Sequence, residues 1–295
     1  MVRAGMTDHS RSDVLAAATT MGAVTLHVEH LARVLGYYTH GVGLDVLAES
    51  DGRVVLGRGN QPVLVLEQTP QLARAAQGSA GLYHSAIVFD TEAALASAVY
   101  SIARKFPQSF TGSSDHLVSN AFYFDDPEGN GLELYWDRPR EAWTTVNGEI
   151  RMGTEWLDPN AFLQQHLTEE GAANVSLGDA SIGHVHLQVG DIPTARHFYA
   201  DVLGFEPTIG SYPGAFFVAA GGYHHHIGMN TWRSAGAGHR APALGLGEVA
   251  ITVPTTDEVL AVADRLRTAG LEAGHDGREL ITEDPWGNQV RIAVG

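Results

Sequence analysis

Four heptads of alternating and β-branched apolar residues align along the chain without gaps: GAVTLHV (22–28), YHSAIVF (83–89), GHVHLQV (183–189) and GEVAITV (247–253). Each reads as a short strand. A helical pattern follows every one. EHLARVLGYYTHGVGL and GDIPTARHFYADVLGF follow the first and third and share a Tyr and a Gly-Leu or Gly-Phe stop. TEAALASAVYSIARKF and TTDEVLAVADRLRTAG follow the second and fourth; they open on Thr or an acidic residue and carry Leu, Val and Ala at helical spacing. Further strand patterns come next, among them VVLG (54–57), PVLVLEQ (62–68), NAFYFDD (120–126), GLELYW (131–136), GAFFVAA (214–220) and NQVRIAV (288–294). The unit is strand–helix–strands, repeated four times.

Residues 138–181 interrupt the series and connect two halves, 21–137 (modules one and two) and 182–295 (modules three and four). They hold one predicted helix, DPNAFLQQHL (158–167), with Asp158 as N-cap and Pro159 at its first position. Residues 1–20 lack the apolar centre of a signal peptide and read as a flexible tail with room for one short helix.

A second repeat, DDPEGNGLELYW (125–136) against EDPWGNQVRIAV (283–294), is first of all a turn. Pro fixes one φ, and Gly or Asn accepts a positive one. The strand after the turn carries Glu133 in one copy and Arg291 in the other. An unpaired carboxylate in the apolar run LELYW is costly, so Glu133 calls for a partner.

Composition narrows the chemistry. The 295 residues suit two domains; 44% hydrophobic and 18% charged residues suit a globular protein with a sizeable core. The net charge of −16 argues against nucleic acid or an anionic membrane as partner. There is no cysteine, which excludes disulfides and thiolate chemistry and permits a cytoplasmic location. No apolar run approaches the roughly 18 residues of a membrane helix. What remains is a concentration of histidine, above all Tyr223-His224-His225-His226 after a double glycine. Read as part of a strand, His224 and His226 share one face and His225 takes the other. His27, His30, His40, His166, His197, His239 and His275 match no motif position and read as solvated or capping residues.

Paired strand–helix–strand modules with GHVHLQV-like openings and Asp-Pro-x-Gly-Asn closings resemble the vicinal oxygen chelate superfamily, which includes glyoxalases, bleomycin-resistance proteins and extradiol ring-cleaving dioxygenases. The resemblance covers roughly residues 22–294. It implies an α+β fold of four βαβββ modules paired into two cupped half-barrel sheets, with any metal inside the cup. Its ligand positions fall on Ala23, His84, His184 and Glu248 in the opening strands, and on Glu133 and Arg291 in the closing strands of modules two and four. Only modules two and three are equipped, through His84, Glu133 and His184, so module three is expected to face module two. Two histidines and a carboxylate form the facial triad of non-haem Fe(II) oxygenases.

HLVSNAFYFDDPEGNGLE (116–133) resembles the extradiol dioxygenase signature, from which it departs at Ser114 just upstream. By that resemblance Glu133 is a metal ligand, His116 and Tyr123 hydrogen-bond substrate oxygens, and His186 is a polar neighbour of the oxygen site. The triple histidine supplies an acid/base group, His226 in the best register and His225 with a slip of one. The implied activity is an Fe(II)-dependent extradiol dioxygenase of the catechol 2,3-dioxygenase type, acting on a catecholic small molecule with O2, in a protein that family habit makes a homo-oligomer. A metal-dependent glyoxalase-type isomerase or lyase and a metal-free binding protein are the alternatives the same fold allows.

Overall fold

The computed structural model describes residues 13–295. Module one contains β1 (Thr20–Val28), α1 (Leu31–Gly36), β2 (Asp45–Ser50), β3 (Arg53–Arg58) and β4 (Gln61–Gln68). Module two contains β5 (Gly81–Phe89), α2 (Glu92–Lys105), β6 (Phe110–Asp115), β7 (Ser119–Asp125) and β8 (Gly131–Asp137). The connection holds a small hairpin, β9 (Thr145–Val146) and β10 (Glu149–Ile150), then α3 (Pro159–His166) and α4 (Glu169–Ala173). Module three contains β11 (Ala180–Gln188), α5 (Ile192–Arg196), β12 (Glu206–Ile209), β13 (Ala215–Ala219) and β14 (Ile227–Asn230). Module four contains β15 (Gly245–Val253), α6 (Thr256–Thr268), β16 (Ala273–His275), β17 (Glu279–Glu283) and β18 (Gln289–Val294). Both α1 and α5 run on as a π-helical turn, Tyr37–Val42 and His197–Val202. The α3 helix is capped as its sequence predicts, with the Asp158 side chain accepting from the N–H groups of Asn160 and Ala161.

The fold is the expected α+β arrangement of four βαβββ modules paired into two curved eight-stranded sheets. Their strand orders are β12-β13-β14-β11-β5-β8-β7-β6 and β16-β17-β18-β15-β1-β4-β3-β2. Module two therefore pairs with module three, through antiparallel β5 and β11, and module one with module four, through β1 and β15. Each sheet takes one module from each half of the chain, so neither 21–137 nor 182–295 closes a sheet within itself. One contiguous apolar cluster runs through both sheets and their helices, from Val24 and Leu64 to Leu134, Val185 and Ile292.

The repeated Asp-Pro turns hold successive modules together. Asp126 Oδ1 accepts from the N–H groups of Glu128 and Asn130, and its Oδ2 accepts from Asn130 Nδ2 and the Tyr38 hydroxyl. Asp284 repeats the set with Trp286, Asn288 and the Tyr199 hydroxyl. Tyr38 and Tyr199 lie on the two π-helical turns, so each turn is tied to the helix of the module before it.

Residues 1–12 of the expected tail lie outside the described residues. Within residues 13–20, Leu15 and Thr19 are buried, and the Leu15 N–H donates to the Gly204 carbonyl. No helix forms over residues 13–19. No helix among the described residues is long and apolar enough to cross a membrane.

Candidate metal centre and its cavity

Strand register brings the centre together. In β5, His84 and Ala86 are two residues apart and share a face. Parallel β8 sets Glu133 opposite Ala86, and antiparallel β11 sets His184 opposite Ala86 and His186 opposite His84. Tyr123 on β7 stands opposite Glu133. All these side chains enter the concave face, while Ile87, Leu132, Leu134, Val185 and Leu187 on the other face join the apolar cluster. Ala86 is the small residue at the middle, and its short side chain leaves room for the three ligand positions to converge.

A bulge sharpens the convergence. The register between β5 and β11 shifts between Ile182 and His184, where Gly183 is the extra residue. A Cβ at Gly183 would lie 1.7 Å from the Tyr135 hydroxyl, so that position has no space for a side chain.

Among the described residues, His84, Glu133 and His184 are the one group of three metal-ligating side chains whose donor atoms all lie within 4.8 Å of one another. His84 Nε2 is 2.9 Å and His184 Nε2 3.2 Å from the same oxygen, Glu133 Oε2. All three side chains are buried. Burial by itself pushes the Glu133 carboxyl up, but His184 and then His84 outweigh it and hold the group well below the usual carboxylate range. Burial lowers His184 to about 4 against the pull of Glu133. Glu133 is therefore held as a carboxylate beside a neutral His184, the protonation states in which such groups bind a cation.

The residues fit a metal ion on a second count. His84 Nε2 is fully buried, and its approach to Glu133 is too poorly aligned to be a hydrogen bond. A cation between the three donors would satisfy that lone pair. His184 Nδ1, on the other side of its ring, is also without a partner, and the donor set gives no account of it.

The centre opens into a cavity of about 630 Å³. His116 and Tyr123 line one wall, and the Tyr123 ring lies 5.5 Å from that of His84. His116 Nδ1 is 2.6 Å from the Gly153 carbonyl, which can only accept, so Nδ1 carries the proton. In the neutral ring Nε2 is then the acceptor for the Tyr123 hydroxyl, 2.6 Å away. Burial, then the charge of Glu133, raises the Tyr123 pKa well above its usual value. His186 also lines the cavity, with Asn230 Nδ2 3.1 Å from its Nε2. Tyr83, Tyr212, Phe217 and Trp232 supply the apolar surfaces.

The triple histidine differs from expectation. Strand β14 begins at Ile227, so residues 221–226 form a turn and strand alternation does not govern them. Gly221 and Gly222, at φ 61° and 67°, make that turn possible. His225 lines the cavity, its ring centroid 4.1 Å from that of His184. His226, the better register by sequence, points away. Its Nδ1 accepts from the Ala220 N–H, and its ring packs on Tyr223 and Phe205. His224 lies beside His225, their Nδ1 atoms 2.8 Å apart.

Sequence reasoning passed over the residues behind these groups. Asp137 accepts from the Tyr223 hydroxyl and stands 2.9 Å from His224 Nε2. Tyr135 is hydrogen-bonded to Tyr223. The one available signal was an aspartate at the end of ELYWD, four residues beyond Glu133 in a strand otherwise closing on aromatics. In the other sheet the corresponding positions hold an ion pair: Arg291 Nε is 2.8 Å from Glu248 Oε1, with Glu279 also in reach of the guanidinium.

Residues 181–292 match the Glyoxalase/Bleomycin resistance protein/Dioxygenase superfamily. The chain is 37% identical over 278 residues to a catechol-2,3-dioxygenase of Bacillus subtilis (strain 168), covering 90% of this chain and 94% of that protein. Its fold is similar to that of a putative dioxygenase from Bacillus subtilis subsp. subtilis str. 168, at TM-score 0.66 and 14% identity over 95% of this chain and 86% of the other. It is also similar to glyoxalase I from Zea mays, at TM-score 0.59 and 17% identity over 94% and 92%. With its four modules, its paired sheets and its relative of nearly full length, the chain belongs to the glyoxalase/bleomycin resistance/dioxygenase superfamily, the vicinal oxygen chelate group.

Proposed function

We propose that the protein is an Fe(II)-dependent extradiol dioxygenase that cleaves a catechol with O2. The observation that carries this reading is the convergence of His84 Nε2, His184 Nε2 and Glu133 Oε2 at the floor of a cavity lined by His116, Tyr123 and His225. The relationship to a catechol-2,3-dioxygenase over nearly the whole chain supports it.

Two neutral imidazoles and one carboxylate are the donor set of non-haem iron oxygenases. An Fe(II) ion held there would bring the two catechol oxygens and O2 together and allow electrons to pass between them. One carboxylate against a divalent cation leaves one positive charge, which suits a catecholate monoanion.

The chain's own residues do the rest. The aromatic walls take up the ring and exclude water, which strengthens every polar contact inside. The His116–Tyr123 pair, in a tautomer fixed by Gly153, leaves the Tyr123 oxygen with a lone pair to accept a hydrogen bond from a substrate hydroxyl. His225, neutral because burial pushes its pKa well below the usual histidine range, accepts a proton from the bound catechol and returns it to the product.

The test is aerobic mixing of anaerobically Fe(II)-loaded protein with catechol and alkyl- or aryl-substituted catechols. A yellow ring-fission product is expected. Its absence across the set, from protein with one bound iron, refutes the reading. Formation of an isomerised or lyase product from a hemithioacetal-type substrate, with Zn(II) or Ni(II) bound, would replace it with the glyoxalase-type reaction.

A further inference from the structure

Behind His225 lies a hydrogen-bonded line of side chains that neither the fold nor the metal centre requires. Its outer end is Asp137, the last residue of β8. Asp137 Oδ2 accepts from the Tyr223 hydroxyl at 2.6 Å. Because Tyr223 spends its proton there, the Tyr135 hydroxyl, 2.7 Å away, is the donor in the next bond. Asp137 Oδ1 lies 2.9 Å from His224 Nε2, and His224 Nδ1 lies 2.8 Å from His225 Nδ1.

Proton positions along this line follow by elimination. A carboxylate only accepts, so His224 Nε2 carries its proton. With a single proton on the His224 ring, its lone pair lies on Nδ1. Two facing Nδ1 atoms at 2.8 Å need one proton between them, so His225 Nδ1 supplies it. His225, which lines the cavity, is left with its lone pair on Nε2, the ring nitrogen not engaged by His224. Without the line, a free imidazole prefers the proton on Nε2, the wrong tautomer for accepting a proton from substrate.

The line is well held. The Trp143 ring covers Tyr223 and His224, with centroids at 5.9 and 5.3 Å. The Arg140 guanidinium stacks on Trp143 and donates to the Gly221 carbonyl, which fixes the turn. The His224 carbonyl accepts from the Thr208 hydroxyl. The vacant Cβ space of Gly183 is where the Tyr135 hydroxyl sits.

We propose that Asp137 and His224 are positioning residues which fix the Nδ1–H tautomer of His225 and so aim its basic nitrogen into the cavity. This rests on the reading of His225 as the proton-transfer group. An aspartate, a histidine and a second histidine act in series, and only the last meets substrate.

The experiment combines histidine nitrogen NMR with kinetics. Long-range proton–nitrogen spectra of uniformly 15N-histidine-labelled protein, metal-free and Zn(II)-loaded, are assigned for His225 by loss of its signals in His225→Ala. The expected wild-type pattern has a protonated Nδ1 and an unprotonated Nε2 at His225. Asp137→Asn, and His224→Phe as a second variant that keeps the ring volume, should move His225 toward the Nε2–H tautomer. In Fe(II)-loaded protein both should lower kcat by about 10–100-fold, with KM changed less than about threefold.

A wild-type His225 protonated on Nε2 overturns the proposal. So do two folded variants that leave both tautomer and kcat unchanged while His225→Ala abolishes turnover. If His225→Ala itself leaves turnover intact, the proton-transfer role fails first, and the relay loses its catalytic purpose even with the tautomer as described.

Discussion

The imidazole of His225 lies 4.1 Å from that of His184, on a turn rather than a strand, and that contact separates the histidine beside the candidate metal centre from its two neighbours. His225→Ala should therefore keep the bound metal and lose turnover, by roughly 100–1,000-fold in kcat, the range for removing a general acid–base group. His226→Ala should keep kcat within a few-fold and lower thermal stability instead, because its ring fills space between Tyr223 and Phe205. Metal content and steady-state kinetics on the two variants check both.

Metal content should be one equivalent per chain. The second sheet offers Glu248 with Arg291 where the first offers His and Glu133, and the guanidinium already supplies the positive charge between Glu248 and Glu279. His84→Ala, Glu133→Ala and His184→Ala should each abolish binding, since three ligands leave no spare. Elemental analysis and a calorimetric titration measure this; two equivalents in the wild type would contradict it.

Ala86→Leu should block the centre from behind. Ala86 is fully buried and in register with both Glu133 and His184, so a larger side chain must push one of them away. Overpacking costs about 1–3 kcal/mol. The expected result is a folded protein with weakened stability and lost metal, read by denaturant unfolding beside elemental analysis.

Acid should destabilise the metal-free protein through His226. Burial lowers its pKa from 6.5 to about 4, and its Nδ1 must be unprotonated to accept from Ala220. The unfolded chain therefore binds more protons than the folded one between these values. The stability contribution is present above pH 6.5 and is lost as pH falls toward 4, by at most about 3 kcal/mol. His226→Gln keeps an acceptor without a titrating ring, so the difference between its unfolding free energy and that of the wild type should change across this window.

The tyrosines on the π-helical turns should be worth unequal amounts. Tyr199 reaches Asp284 at 2.9 Å, whereas Tyr38 is 3.3 Å from Asp126. Either loss leaves a buried carboxylate short of a donor, at a cost of about 1–3 kcal/mol. Tyr199→Phe should be the more damaging, by thermal or denaturant unfolding.

Much of this architecture was legible in the residues. The four heptads became β1, β5, β11 and β15, and the closing strands β8 and β18 followed the Asp-Pro turns because buried strands carry dense apolar signals. The outer strands β2, β6, β12 and β16 were not read, since DVLAES or FTGSSD at a sheet edge is exposed and polar. Module pairing could be inferred only from where the ligand residues stood. The orientation of Tyr223–His226 was illegible for a different reason. Two glycines at positive φ end the strand pattern early, and no periodicity predicts which ring a turn aims inward. Asp137 was missed because it acts through two other side chains.

The crossed pairing of the modules has a consequence for how the chain holds together. His84 and Glu133 come from one half of the sequence and His184 and His225 from the other, and β5 and β11 zip the halves edge to edge. A bound cation would thus be a clasp across the seam, and neither half could assemble the centre alone. Cut within the connection and co-expressed, the two fragments should find each other as complementing parts, with the ion tightening their grip.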